Sequence, residues 1–388
     1  MKKSLALWVL ILSVSKVLAQ TVTAPETFNL TYYLNQERIG ITLNLGSGTV
    51  AEPYLFDTGS PDLTSGWTNG VAWWPAGTTA GTPATPLVYG PGSGTQKFDA
   101  NNSDQTVVLS QGSNSLNDTT VVKQITAGYT NSTPSVSPAN WQSDASFNDA
   151  LSSAATNSSI HPFSGTFNGT LGADLTDLTA GGFARLVNTQ TYAAGLDTGF
   201  IVNASLSAPS ITVGLQSNTI AGFSNTFAMN KIGSAIQLHV ISADYGFAHG
   251  VDSATVSSVP TLLDTGTPPS SGVFLTTGTA LTIDSKYLDV SGNYLKDGTS
   301  FTMLLGGTPY TLTSTAGNRI SVFASQDGVG GVTYGLNFFQ NYQVMYDLTT
   351  STVGIQAVPE PDSMLLLLLA GGLVATSLVW QRRNLLGL

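Results

Sequence analysis

Phe56-Asp57-Thr58-Gly59-Ser60 returns in the second half of the 388-residue chain as Leu263-Asp264-Thr265-Gly266-Thr267. Each copy follows apolar or aromatic residues with strand character, Pro53-Tyr54-Leu55-Phe56 and Pro260-Thr261-Leu262-Leu263. A carboxylate therefore ends a buried segment at a point where Gly permits a sharp turn and small hydroxyls hydrogen-bond locally. Two such turns from two halves of one chain can face each other. Carboxylates a few Å apart resist ionising together, so one keeps its proton and the pair titrates as a unit. The charged member can then activate water while the neutral member donates to a carbonyl, which is amide hydrolysis without metal, Ser or Cys. A third Asp-Thr-Gly, Leu196-Asp197-Thr198-Gly199-Phe200, has Phe where the hydroxyl residue should stand and reads as strand and turn.

With these motifs the chain resembles the pepsin-like aspartic peptidases. Tyr89-Gly90-Pro91-Gly92-Ser93-Gly94 looks like the family's flap, a hairpin whose Tyr closes over substrate. Phe167-Asn168-Gly169-Thr170-Leu171-Gly172 resembles the apolar-apolar-Gly segment beneath the first catalytic loop. Tyr334-Gly335-Leu336-Asn337-Phe338-Phe339, then Tyr342 to Leu348 and Val353-Gly354-Ile355, is close to the closing signature. The resemblance runs from about Phe28 to Ala357 and implies a mainly β, bilobal pepsin-like acid protease fold with the cleft between two β-rich lobes. It implies Asp57 and Asp264 as the catalytic pair. Thr58 and Thr265, with Gly59 and Gly266, would brace the turns. Ser60 and Thr267 would hydrogen-bond the outer carboxylate oxygens, and Tyr89 and Gly90 would cover an extended or unfolded protein substrate. No metal or organic cofactor is implied, and a monomer is expected.

The sequence also departs from the family pattern. Trp67, Trp73 and Trp74 follow the first Asp, but none stands at the offset from which the family's Trp bonds the flap Tyr. Pro91 lacks an N–H for an extended substrate. Pro268-Pro269 replaces the usual residues after the second turn, and almost no room for a basic pro-segment exists between Ala19 and the first strands. Ser210-Ile211-Thr212-Val213-Gly214 competes with Thr170-Leu171-Gly172 for the place under the first loop; the earlier segment is preferred because it leaves chain to begin a second lobe.

Composition agrees with a β protein. Hydrophobic residues make up 41%, charged residues 9%, and the abundance of Gly, Ser, Thr and Asn favours short strands joined by turns. Val107-Val108-Leu109 and Val121 to Thr126 read as short strands, and Phe147 with Leu151 as one face of a helix. A net charge of −10 argues against nucleic acid. The absence of Cys removes thiol nucleophiles, Cys-ligated zinc and disulfides. His161, His239 and His249 lack HExxH spacing, and no GxSxG occurs. Asp284, Asp289, Asn293 and Asp297 lack EF-hand spacing and read as turn residues.

The ends carry addresses. Met1-Lys2-Lys3, the apolar run Leu5 to Val14 and Val17-Leu18-Ala19 read as a signal peptide cleaved before Gln20. Val358-Pro359-Glu360-Pro361, the apolar run Met364 to Trp380 and Gln381-Arg382-Arg383 read as a C-terminal transmembrane helix with the body outside. Together they resemble the PEP-CTERM sorting tail, which implies an exosortase-type sorting enzyme, transient anchoring and delivery to the cell surface or beyond. A permanent anchor has the same topology. The expected organisation is signal peptide 1–19, N-terminal lobe 20–205, C-terminal lobe 206–357 and sorting tail 358–388. The alternative to an endopeptidase is a surface or matrix binding protein that keeps the fold without efficient catalysis.

Overall fold

The computed structural model describes residues 20–358, except 47, 90–95, 132–140, 175–180, 233–234, 238–239, 271, 306–308 and 325–328. The signal peptide, Gly90, Pro91, His239 and the C-terminal apolar run therefore lie outside the described residues. Among those described, no helix is long and apolar enough to cross a membrane.

Short stretches of alternating apolar and hydroxyl residues form strands, as Ser210–Gln216 shows by burying Ile211 and Val213 while Thr212 stays partly exposed. The strands assemble into three large sheets of ten, seven and six. The ten-stranded sheet uses residues from Thr31–Tyr33 to Gly169–Gly172, and the seven-stranded sheet uses Val240–His249 to Gly331–Tyr334. Between them runs the six-stranded sheet, in the order Asn225–Ala228, Thr352–Ala357, Tyr342–Asp347, Leu196–Asn203, Ser210–Gln216, Glu26–Asn29. Its strands come from the beginning, middle and end of the chain, so it joins the two lobes.

Each lobe repeats one pattern. The strand Glu52–Asp57 pairs in parallel with Gly169–Gly172, placing Gly172 opposite Asp57. The strand Asp252–Leu263 pairs in parallel with Gly331–Tyr334, placing Tyr334 opposite Leu263. Leu63–Gly66 and Val273–Thr277 lie antiparallel on the other side of these partners. Asn114–Thr130 and Ser321–Ala324 then pair in parallel with those two strands. Thr170-Leu171-Gly172 thus occupies the place beneath the first Asp turn, while Ser210 to Gly214 belongs to the joining sheet.

The third Asp-Thr-Gly lies within the strand Leu196–Asn203, where the register shifts between Asp197 and Phe200. There Gly199 answers a packing need, because a Cβ would stand 2.4 Å from the Tyr346 carbonyl oxygen. Phe147 and Leu151 are buried on the helix Ala145–Ala154, whose first turn is capped by Asp144 accepting from the Phe147 N–H. One expectation needs correction. The supposed short strands around Val108 and Val121 belong to Gln96–Gln111 and Asn114–Thr130, a hairpin of 16 and 17 residues. Asn, Ser, Thr and Asp on its solvent face kept the ladder but removed the apolar signal.

The core is strongly aromatic. Phe56 meets Phe183 edge-on at 5.5 Å, Phe183 meets Phe200 at 5.1 Å, and Phe200 stacks on Tyr346 at 4.9 Å. This file leads from the first Asp strand into the joining sheet. Each fully buried ring is worth roughly 1.5–3 kcal/mol of transfer free energy.

Candidate active site

Asp57 ends its strand, Asp264 directly follows Leu263, and the two turns meet tip to tip. The Thr58 N–H donates to Thr265 Oγ1 at 3.0 Å, and the Thr265 N–H donates to Thr58 Oγ1 at 3.0 Å. Each hydroxyl then donates onward across the interface, Thr58 Oγ1 to the Leu263 carbonyl at 2.7 Å and Thr265 Oγ1 to the Phe56 carbonyl at 2.9 Å. All four bonds are buried, and breaking one leaves a desolvated partner unpaired at a cost of about 1–3 kcal/mol.

The glycines let the carboxyls approach. A Cβ on Gly59 would stand 2.8 Å from Asp264 Cγ, and one on Gly266 would stand 2.6 Å from Asp57 Cγ. Each Gly therefore keeps its space open for the opposite carboxyl. Their N–H groups act alike, Gly59 donating to Asp57 Oδ1 and Gly266 to Asp264 Oδ1, both at 2.8 Å.

The surroundings then diverge. Thr267 Oγ1 donates to Asp264 Oδ2 at 2.6 Å. Ser60, expected to do the same for Asp57, makes no hydrogen bond to it among the described residues, and its hydroxyl lies near the Tyr89 phenol. Asp57 is 8% exposed, whereas Asp264 is half-buried. Burial, then the negative charge of Asp264, then a hydrogen bond between the two carboxyls hold Asp57 well above the usual carboxylate range. The Gly59 N–H and the Arg38 guanidinium act against that rise.

Tyr89 ends the strand Leu87–Tyr89, paired with Gln96 of the long hairpin, and its ring meets Phe98 edge-on at 5.9 Å. Burial pushes its phenol upward, and the charges of Asp57 and Asp62 add to this. Two of the three tryptophans that follow the first Asp are engaged away from Tyr89: the Trp73 and Trp74 indole N–H groups both donate to the Gly66 carbonyl, at 2.8 and 2.9 Å. Behind the first turn, Lys123 pairs with Asp62 at 2.8 Å.

Sequence reasoning missed the cleft-side pair Glu37 and Arg38. Glu37 Oε2 accepts from the Ser270 N–H at 3.1 Å and from Ser270 Oγ at 2.6 Å, tying the first lobe to the loop after Asp264. Tyr32 donates to the Ala204 carbonyl, just past the joining-sheet strand Leu196–Asn203. The signal available was register alone, since Arg38 opens the strand that pairs with Glu52–Asp57. Other candidates have local duties. Asp284 accepts from the Lys286 N–H and Asp289 from Ser291, while His161 bonds Asn168 and His249 bonds Thr299.

Two β lobes, a joining sheet and a crossed pair of Asp-Thr-Gly turns define the pepsin-like fold. The solved aspartic proteinase from Irpex lacteus matches with a TM-score of 0.55 at 16% identity, covering 87% of this chain and 98% of that one. Residues 357–383 match the PEP-CTERM protein-sorting motif. That motif implies recognition by an exosortase-type sorting enzyme and an exported, surface-targeted protein. No curated protein sequence matches the chain.

Proposed function

We propose that the protein is an aspartic endopeptidase in which Asp57 and Asp264 activate one water between them. The observation that carries this reading is the crossed Thr58 and Thr265 bonding, which holds the two carboxyls within hydrogen-bond reach. At working pH the pair carries one proton and one charge. Asp264 accepts hydrogen bonds from the Gly266 N–H and the Thr267 hydroxyl. Asp57, more deeply buried and held high, keeps the proton. Asp264 then removes a proton from the water while Asp57 donates to the scissile carbonyl, and the pair hands the proton to the leaving amine.

Tyr89 stands at the first turn, where it covers an extended peptide that pairs with the flap as an added strand. Gly90 is assigned to the same flap by resemblance. Substrates are unfolded or loop segments of proteins, because only extended chain lies along such a cleft. The lobes are assigned as 20–205 and 206–357, and the sorting tail delivers the body to the surface after transient anchoring.

Digestion of an unfolded protein from acid to neutral pH tests the reading. The parent should cleave and be blocked by a statine-type mimic of the tetrahedral intermediate, and Asp57→Asn should lose about 10²–10⁴-fold in rate. Cleavage by the variant at the parental rate would end the proposal. The engagement of Trp73 and Trp74 with Gly66 rather than with Tyr89 favours the second reading, a surface or matrix binding protein. A folded parent that binds peptide but cleaves nothing would support it.

A further inference from the structure

The cation at the dyad is unexplained by either Asp turn. The chain has 13 Lys and Arg against 23 Asp and Glu, yet it sets Arg38 beside the two carboxyls. Register accounts for its position. The strand Arg38–Leu45 runs antiparallel to Glu52–Asp57 with Gly40 opposite Leu55, so two residues further Arg38 stands level with Asp57. Residues two apart share a face of the sheet, which puts Arg38 on the face of Gly40, Leu55 and Asp57.

The guanidinium is partly buried and feels the charges of Asp264, Asp57 and Glu37, but among the described residues it forms no ion pair with any of them. Its hydrogen bond is a long one, Nη1 to the Glu37 carbonyl at 3.4 Å. A guanidinium has five donors in a planar fork suited to a carboxylate, and here most are unspent. The neighbouring acid does not spend them, because the Glu37 carboxylate is held by Ser270.

The chain accepts strain at this place. Leu34, Asn35 and Gln36 have φ of 51°, 55° and 71°, three successive non-glycine residues in the left-handed region. Each costs roughly 1–2 kcal/mol, so a relaxed turn would be preferred if position were indifferent. The Glu37 N–H to Leu34 carbonyl bond at 3.2 Å and the Glu37 link to Ser270 fix the turn immediately before Arg38.

We propose that Arg38 is a specificity-determining residue, the floor of an anionic subsite that receives an Asp or Glu side chain of the bound peptide close to the scissile bond. The inference rests on the endopeptidase reading and narrows its substrates to acidic segments. The bound carboxylate takes the free fork of Arg38, and the single charge of the dyad is shared with the same cation. A Lys or Arg side chain at that position meets a like charge and is rejected.

The test uses the full chain and neutral peptides of one sequence, with Glu, Gln or Lys placed in turn at each position flanking the cleaved bond. The parent should show a kcat/KM for the best Glu peptide about 10–100-fold above its Gln counterpart, from a charge-assisted bond. Arg38→Ala should collapse that ratio mainly through KM, Arg38→Lys should restore part of it, and Arg38→Glu should invert it toward Lys peptides. Melting temperatures identify any variant that fails to fold. Fluorescence anisotropy with Asp57→Asn and Asp57→Asn/Arg38→Ala measures peptide binding without turnover. Arg38-dependent preference in binding with no cleavage by the parent would sink the peptidase and keep the subsite. Cleavage with a Glu-to-Gln ratio near one, unmoved by Arg38→Ala, would overturn the subsite and keep the peptidase. Neither cleavage nor binding would overturn both.

Discussion

The two Asp-Thr-Gly turns share a skeleton and differ in what surrounds it. Both place a Thr in the crossed network, both direct a Gly N–H to the first carboxylate oxygen, and both leave room for the opposite carboxyl. After the Gly they part: Thr267 bonds Asp264, while Ser60 lies toward Tyr89. Symmetry thus builds the meeting of two acids, and one residue beyond each motif makes their roles unequal. In the second turn the extra hydroxyl bonds the carboxylate; in the first it lies toward Tyr89, which the endopeptidase reading places over substrate.

The largest expected effects attack the shared part. Gly59→Ala and Gly266→Ala each drive a methyl into the opposite carboxyl, so kcat should fall about 100-fold in either case, as for a misplacement near 1 Å. Crystal structures of the two variants should show the carboxyls parted, and a rate kept within a few-fold would refute the space argument. Next come Thr58→Val and Thr265→Val, close in shape but lacking the hydroxyl. Each should lower unfolding free energy by about 2–4 kcal/mol, since two buried bonds are lost. Denaturant titration checks whether the two losses match, as the symmetry requires, and a clear inequality would break it.

Proton linkage is smaller in effect but sharper in sign. Asp57 is raised above its ordinary value of 3.8, so the folded chain holds that proton where the unfolded chain has released it. The resulting stability is fully present below the ordinary value and disappears as pH rises through the raised one, by at most about 1.4 kcal/mol per pH unit. Asp57→Asn should flatten this part of the stability profile, and an unchanged slope would place the proton elsewhere. The smallest expected effects separate the turns. Thr267→Val should lower kcat about tenfold and move the pH limb, whereas Ser60→Ala should raise KM and leave the limb in place. Equal pH behaviour of the two would erase the division of labour.

The duplicated motif was legible because its chemistry is local: an acid, a hydroxyl and a Gly suffice to describe the turn. Gly169 to Gly172 was found by order along the chain, and Phe200 sufficed to set aside the third Asp-Thr-Gly, which forms a strand. Ser60 misled because its neighbours in sequence suggest Asp57, while Tyr89, which it lies toward, arrives from a separate strand. Arg38 and Glu37 were hidden for a similar reason. Nothing in Leu34-Asn35-Gln36 advertises a left-handed turn, and facing Asp57 depends on an antiparallel register that composition does not contain. The long hairpin hid behind its polar face, where hydrogen-bonded backbone needs no apolar side chain.

The strand Thr352–Ala357 closes the joining sheet where the sorting motif begins, at residue 357. Its neighbour Tyr342–Asp347 pairs back to Leu196–Asn203, and one edge strand of the same sheet is Glu26–Asn29. Contacts of such sequence separation form slowly and late. During synthesis or passage through a pore, the first lobe can emerge long before the segment that completes the scaffold. The two Asp turns therefore come together only after Asp264 and the strands that hold it have emerged, so the first turn is complete long before the pair is.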